Sequence, residues 1–286
     1  QTEIQFRRLI GANVEIQLFS FADVPRSEPV RQDIAARYRS HHALQDAGLD
    51  GLVITGCEPK ADRLDDEPFF KPLSDVVDWA SRGTLSTLFS CLASHAAVLH
   101  RDGIERRRLA EKCSGVFICS QTGTHPLLYG LAETAPVPHS RWNELDERHL
   151  TAHGYHVLRR SDEIGVDLFV KEEESLLVFL QGHPEYDPDS LAREYRRDVG
   201  RFLDGVRDDY PNVPQNYFTQ AGIGRMQAFE ELARTFRDPA HFSAFPELVS
   251  ALPLHASWQA GAIRLFGNWL REVAARRVTR PIRVFA

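Results

Sequence analysis

Hydrophobic and polar positions switch between two periods along the chain, and the switching predicts most of its elements. Val14–Phe21 (VEIQLFSF) alternates and is rich in β-formers, so it predicts a strand. Helical character follows over Arg31–Gln45, punctuated by Gly48 and Gly51. Gly51–Thr55 (GLVIT) is a short unbroken apolar run, which suits a strand covered on both faces in a parallel sheet. Over Phe70–Ser81 the helical period returns, with Leu73, Val76, Val77 and Ala80 on one face. Thr84–Ser90 predicts the next strand, and a helix over Leu92–Leu99 starts at once. Val116–Ser120 is a further short strand, and beyond Gly123 the pattern loosens into turns as far as Pro138.

Three more strands are predicted over His156–Arg160, Asp167–Lys171 and Leu176–Leu180, with a hairpin across Glu173–Ser175. Asp187–Val206 predicts a long helix: Asp187 suits its N-cap, Pro188 its first turn, and Leu191, Tyr195, Val199, Phe202 and Val206 its buried stripe. Met226–Phe236 and Ala260–Ala275 predict two more. No repeat, low-complexity segment or linker interrupts the pattern. The expectation is therefore one α/β domain with a mostly parallel sheet flanked by helices. Thr2–Leu9 reads as helix, whereas such sheets usually open with a strand. Because the chain starts at Gln1, a first strand upstream of residue 1 is expected.

Composition narrows the function. Hydrophobic residues make up 43% and charged residues 26%, enough for a full core. A net charge of −6 argues against a nucleic-acid partner, which calls for a basic surface. No run reaches the ~18 apolar residues of a membrane span, and no apolar secretory signal opens the chain, so a cytoplasmic protein without a membrane partner is expected. Of four cysteines, none forms a CxxC pair, which fits reduced thiols.

Cys91 stands where a buried strand ends and a helix begins. That junction exposes a side chain at the carboxyl edge of a sheet, beside the partial positive charge of a helix N-terminus that favours thiolate. Ser90, Ala93 and Ser94 are small enough for a tight elbow, although the usual glycines are missing. Taken alone, Cys91 reads equally as a nucleophile or as a small buried thiol.

Gly182-His183-Pro184-Glu185-Tyr186-Asp187 follows directly on the strand at Leu176–Leu180. Pro184 biases His183 towards extended backbone, where residues two apart point the same way. The Glu185 carboxylate can then orient the His183 ring and stabilise its protonated form. The bland alternative is a helix-entry loop. Together, Cys91, His183 and Glu185 lie at carboxyl ends of predicted strands in the order of nucleophile, base and orienting acid.

Several segments carry a family resemblance: Ser86–Ile104 (STLFSCLASHAAVLHRDGI), EKCSGVF (Glu111–Phe117), PHSRW (Pro138–Trp142) and FLQGHPEYDPDSLAREYRRDV (Phe179–Val199). With GLVITG (Gly51–Gly56), PQNYF (Pro214–Phe218) and NWL (Asn268–Leu270), they resemble the homoserine O-succinyl/O-acetyltransferases of methionine biosynthesis, in order over nearly the whole chain. The resemblance implies a class I glutamine-amidotransferase-like (flavodoxin-like) fold with a C-terminal helical extension. It implies Cys91 as acyl acceptor, His183 as general base, Glu185 as its partner and Arg197 as the ligand of the amino-acid carboxylate. Ser140 and Lys112 match residues lining the substrate site, and the Leu92 N–H could hold the oxyanion. The implied partners are acyl-CoA as co-substrate and a hydroxy amino acid, in a homodimer with no cofactor and no metal.

The chain also departs from that family. A lysine-bearing oxyanion loop would lie before Gln1, Leu92 stands where tryptophan is common, and His95 where glutamine is common. His95 reads either as a helix-face histidine or as a change in acceptor geometry. A helical insertion is expected around 222–254, its stripe of Phe229, Leu232, Ala233 and Phe236 serving packing, a cover for the site or a dimer surface. These changes leave L-serine open beside L-homoserine as acceptor. Acyl choice depends on a position after GLVITG that is Lys60, or Ala61 with a one-residue shift: a cation would pair with a succinyl carboxylate, a small residue would merely leave room.

The competing readings are a glutamine amidotransferase or cysteine hydrolase of the same fold, and a non-catalytic binding protein. His149 and His153 have HxxxH spacing, but Leu150 stands where a zinc protease has glutamate, and Gly154 argues against a continuous helix.

Overall fold

The computed structural model describes residues 1–248 and 256–279. In chain order the elements are α1 (Thr2–Ile10), β1 (Phe19–Ser20), α2 (Glu28–Arg37), β2 (Arg39–Ser40), β3 (Gly51–Thr55), α3 (Phe70–Gly83), β4 (Ser86–Ser90) and α4 (Leu92–Asp102). There follow β5 (Arg107–Gln121), β6 (Thr134–Glu144), α5 (Glu147–Ala152), β7 (His156–Ser161), β8 (Gly165–Glu172) and β9 (Leu176–Leu180). Helices α6 (Ser190–Leu203), α7 (Gln220–Thr235) and α8 (Gln259–Thr279) complete the described chain.

Seven strands form one sheet in the order β3-β4-β9-β8-β7-β5-β6. The unbroken apolar runs of β4 and β9 lie inside it, every residue buried, as strands covered on both faces must be. Phe89, Phe179 and Phe169 stack across β4, β9 and β8 with ring centroids 4.9 and 4.8 Å apart, and Tyr155 closes the ladder edge-on. One face is packed by α3 and α4 through Val77, Ala93 and Ala97. On the other, α1 and α8 bring Phe6, Phe266 and Trp269. Trp269 also donates its indole N–H to Ser86 Oγ at 2.8 Å.

The α/β class is as expected, but the sheet is mixed rather than mostly parallel. Within the seven-stranded sheet, parallel pairing joins β3, β4 and β9; its other neighbouring strands are antiparallel. The predicted hairpin at Glu173–Ser175 already forces one such pair, since strands joined by so short a turn must run antiparallel. Sequence pattern missed β6, whose Pro136 and Pro138 break the strand signature, and the length of β5. The strand expected over Val14–Phe21 contracts to two residues because only Phe19 and Ser20 find a partner, in β2. Helix α6 starts at Ser190, after Asp189, rather than at Asp187.

Of the stretch 222–254, residues 249–254 lie outside the described residues. Within α7, Met226, Phe229 and Ala233 pack against Tyr195, Val199 and Phe202 of α6, while Leu232 and Phe236 of the expected stripe stay exposed.

Candidate active site

Parallel register places the chemistry. Ser90 of β4 pairs with Leu180 of β9, so Cys91 and the loop of Gln181–Glu185 leave the sheet at the same edge. Cys91 sits at φ 51°, ψ −110°, a conformation that costs a non-glycine residue about 1–3 kcal/mol. Its N–H donates to Leu180 O at 2.7 Å, and Ser94 Oγ donates to Leu180 O at 3.0 Å. The elbow is thus fastened to the strand that carries His183. Leu92 is the first residue of α4, so its N–H has no acceptor within the helix. Gly56, just beyond β3, faces it: a Cβ there would lie 3.0 Å from Leu92 N and 2.8 Å from Leu92 Cβ. Glycine keeps that N–H open.

His183 is held by its own N–H, which donates to Pro138 O at 2.7 Å, and by the Tyr186 ring stacked on it at 4.2 Å. Its Nδ1 bonds Glu185 Oε1 at 2.8 Å, which leaves Nε2 for Cys91. Burial pulls the imidazole down, but the charges of Cys91 and Glu185, with hydrogen bonds to both, hold its pKa well above the ordinary histidine value. The arrangement sets a protonated imidazole beside the Cys91 sulfur. The other cysteines differ: burial pushes Cys57 and Cys113 up to about 11 and raises Cys119 as well, so they stay thiols.

The remaining expected residues gather on α6. Lys112 of β5 ion-pairs with Asp198 at 3.0 Å and Glu194 at 3.5 Å. Ser140 of β6 donates to Glu194 Oε2, and Arg197 pairs with Asp198 at 2.9 Å. Tyr186 donates to Glu194 Oε1 at 2.5 Å. Burial would raise the Glu194 carboxyl, but Lys112 and the hydroxyls of Ser140 and Tyr186 hold it below the usual range. Sequence reasoning missed Tyr186, Glu194 and Asp198. The signal was there: 194, 198 and 201 recur at helical spacing on one face of α6.

Lys60 and Ala61 both donate main-chain N–H groups to Glu67 Oε1, and the Lys60 side chain is exposed. Cys91, His183, Lys112, Ser140, Arg197 and Lys60 line a single cleft of about 1350 Å³. His95 is not on an open helix face. It is buried against the cleft, and its Nε2 reaches Gln181 Oε1 at 3.0 Å. Gln181 Oε1 also accepts the Leu145 N–H, and its amide donates to Val166 O, so His95 must be the donor. Burial pushes the His95 imidazole down to about 3.

Cys119, His139 and Asp167 also lie close together, within 4.8 Å. Arg141 Nε donates to His139 Nδ1 at 3.4 Å, which puts the ring proton on Nε2, 3.2 Å from Asp167 Oδ1. Arg159 takes the other carboxylate oxygen. The Asp167 charge is thus met by a buried guanidinium in a cluster beneath Gly182. The HxxxH pair does meet a helix: α5 contains His149 and ends before Gly154, and His153 Nδ1 bonds the His149 carbonyl at 2.8 Å.

No helix among the described residues is long and apolar enough to cross a membrane. Solved structures share the fold: a glutamine amidotransferase from Methylobacillus flagellatus matches with a TM-score of 0.52 at 13% identity, over 90% of this chain and 94% of that one. Another, from Thermotoga maritima, matches at 0.50 and 14% identity over 94% of this chain and 100% of that one. In sequence, a Methylorubrum extorquens protein named homoserine O-succinyltransferase is 57% identical over 276 residues, 96% of this chain and 83% of the relative. A Rhodopseudomonas palustris protein of the same name is 44% identical over 279 residues, covering 96% and 84%. The family profile described as homoserine O-succinyltransferase matches residues 1–279. By that match and those identities, the chain belongs to the homoserine O-succinyltransferase family.

Proposed function

We propose that the protein transfers a succinyl group from succinyl-CoA to the hydroxyl of L-homoserine through a thioester on Cys91. The observation that carries this reading is the Glu185-bound His183 imidazolium held beside the Cys91 sulfur at one sheet edge, next to a first-turn helix N–H that Gly56 leaves accessible. Its relatives' names supply the substrate pair. A cleft of about 1350 Å³ has room for an acyl-CoA arm and an amino acid together.

In the first half-reaction the Cys91 thiolate attacks the thioester carbon, and the Leu92 N–H takes up the oxyanion charge. The C–S bond to CoA breaks, and the departing CoA thiolate takes the proton from His183. In the second, neutral His183 removes the hydroxyl proton of homoserine while that oxygen attacks the acyl-cysteine. Collapse expels the Cys91 thiolate, with His183 again protonated. Glu185 keeps Nε2 aimed at the sulfur throughout. Arg197 pairs with the acceptor carboxylate, and Glu194, held ionised beside Ser140 and Lys112, suits its ammonium. Lys60 stands at the rim as a hydrated cation.

Intact-mass spectrometry tests this. Mixed with succinyl-CoA alone, the protein should gain one succinyl group on Cys91, discharged by L-homoserine faster than by L-serine. Acetyl-CoA should load it less. A folded protein that takes an acyl group from neither donor would overturn the proposal.

A further inference from the structure

We propose that Arg106 binds the free carboxylate of the donor's acyl group and so separates a dicarboxylic donor from a neutral one. The inference rests on the succinyl-transfer reading above and adds the residue that makes the choice.

Arg106 immediately precedes β5, is half-buried, and lines the same cleft as Cys91. Among the described residues its guanidinium has no hydrogen-bonded or ion-paired partner. Glu67, the acid whose charge favours it, has one carboxylate oxygen engaged by the Lys60 and Ala61 N–H groups. Burial and the neighbouring Arg108 charge both work against the Arg106 cation, and only Glu67 and Cys91 favour it. A partly desolvated guanidinium without a carboxylate is a site waiting for an anion.

The other cations of the cleft are engaged or hydrated. Asp198 holds Lys112 and Arg197, Glu58 holds Arg201, and Asp65 holds Arg63. Arg141 donates to the carbonyls of Asn143 and Ile164. Arg108 is exposed and lies over the Trp142 ring at 4.5 Å. Lys60 is exposed, so water already satisfies it. Among the described residues, Arg106 alone combines partial burial, an open fork of donors and electrostatic reach to Cys91.

Chain length fits. In succinyl the second carboxyl carbon lies about 4 Å from the thioester carbon when extended, and a charge-assisted N–H···O contact adds about 2.8 Å. The carboxylate partner must therefore stand near Cys91, and Arg106 lines the same cleft within electrostatic reach of it. The pantetheine arm carries the phosphates of CoA well beyond that radius. Planar, bidentate pairing would also fix the acyl chain before attack.

The test compares succinyl-CoA with butyryl-CoA, which has the same chain length and a methyl group in place of the carboxylate. For wild-type protein, R106Q and R106K, kcat/KM would be measured with each donor at saturating L-homoserine. The succinyl-to-butyryl ratio should fall about 30–100-fold in R106Q, the usual weight of a charged hydrogen-bonded contact, and by less in R106K, which keeps the charge but not the fork. If both donors lose equally in both variants, Arg106 supports the thiolate, CoA or the fold, and the proposal fails. A ratio within 3-fold of wild type in R106Q also overturns it. Should R106Q not fold, the R106K ratio decides in the same way. Failure of the wild-type protein to accept either donor would instead strike the succinyl-transfer reading itself, and this inference with it.

Discussion

The parallel half of the sheet, β3, β4 and β9, and the antiparallel half, β8, β7, β5 and β6, meet the same cleft in different ways. On the parallel side every residue of β4 and β9 is buried, a phenylalanine ladder stiffens the strands, and register alone brings Cys91 opposite the loop of His183. On the antiparallel side Lys112 and Ser140 reach the cleft through charges on α6 rather than through packing. Bond making needs reacting atoms held to within a fraction of an ångström, which close packing supplies. Recognition needs partners that an incoming substrate can replace. A carboxylate can take Arg197 from Asp198, and an ammonium can take Glu194 from Lys112, with no buried charge stranded.

Changes on the parallel side should act on the chemical steps and have the largest effects. Cys91→Ala should lower kcat by about 10⁴-fold or more and abolish the acyl adduct, and His183→Ala should lower it by about 10²–10⁴-fold. Single-turnover mass spectrometry reads both. Retention of a tenth of the activity in Cys91→Ala would dissolve the contrast, because the packed edge would then not carry the nucleophile.

Gly56→Ala sharpens the same side by touching no reacting side chain. Its new Cβ would crowd Leu92 N at 3.0 Å, closing the N–H to a developing oxyanion. The expected loss is about 10²-fold in kcat for acylation and deacylation alike. Unchanged rates would place the oxyanion elsewhere.

Arg197→Ala tests the antiparallel side. Its KM for L-homoserine should rise about 10–100-fold, the weight of a charged hydrogen-bonded contact, and discharge of the acyl-enzyme should slow with it. Stopped-flow acylation by succinyl-CoA in the absence of acceptor should be far less affected. Equal damage to both half-reactions would mean that the two halves of the cleft are not separable.

The two halves also differed in how well they could be read from sequence. GLVIT, TLSTLFS and the run ending at Leu180 announce buried strands by composition, and residues next to a strand end inherit their place from it. That Cys91, His183 and Glu185 meet at one sheet edge was legible for that reason. Lys112, Ser140 and Arg197 came from resemblance, because nothing local to Lys112 tells that Asp198, far along the chain, is its partner. Glu194 and Tyr186 went unseen although both lie in quoted motifs. Helical spacing puts Glu194 and Asp198 on one face of α6, but does not tell that this face meets Ser140 of β6 and Lys112 of β5. Arg106 is one of three consecutive arginines, and nothing in that run tells which of them is half-buried.

His95 offers the smallest and cleanest measurement on the parallel side. Buried between α4 and the loop of His183, it donates to Gln181 and stays neutral, its pKa pushed down to about 3. An unfolded histidine titrates near 6.5. Between those values the unfolded chain binds a proton that the folded one refuses, so stability falls as pH falls through this window. From pH 7 to pH 5 the loss attributable to His95 should be about 2 kcal/mol. His139, pushed down to about 4 by its burial, contributes in the same sense. His95→Gln can still donate an amide hydrogen to Gln181, yet has no proton to gain. Urea denaturation at both pH values should show the variant losing about 2 kcal/mol less than wild type. Its kcat at pH 7 should change by no more than a few-fold if His95 acts only as a tie between α4 and the loop. An identical pH dependence in the two proteins would mean that His95 is hydrated in solution, and that the parallel half is less tightly closed around its nucleophile than its packing implies.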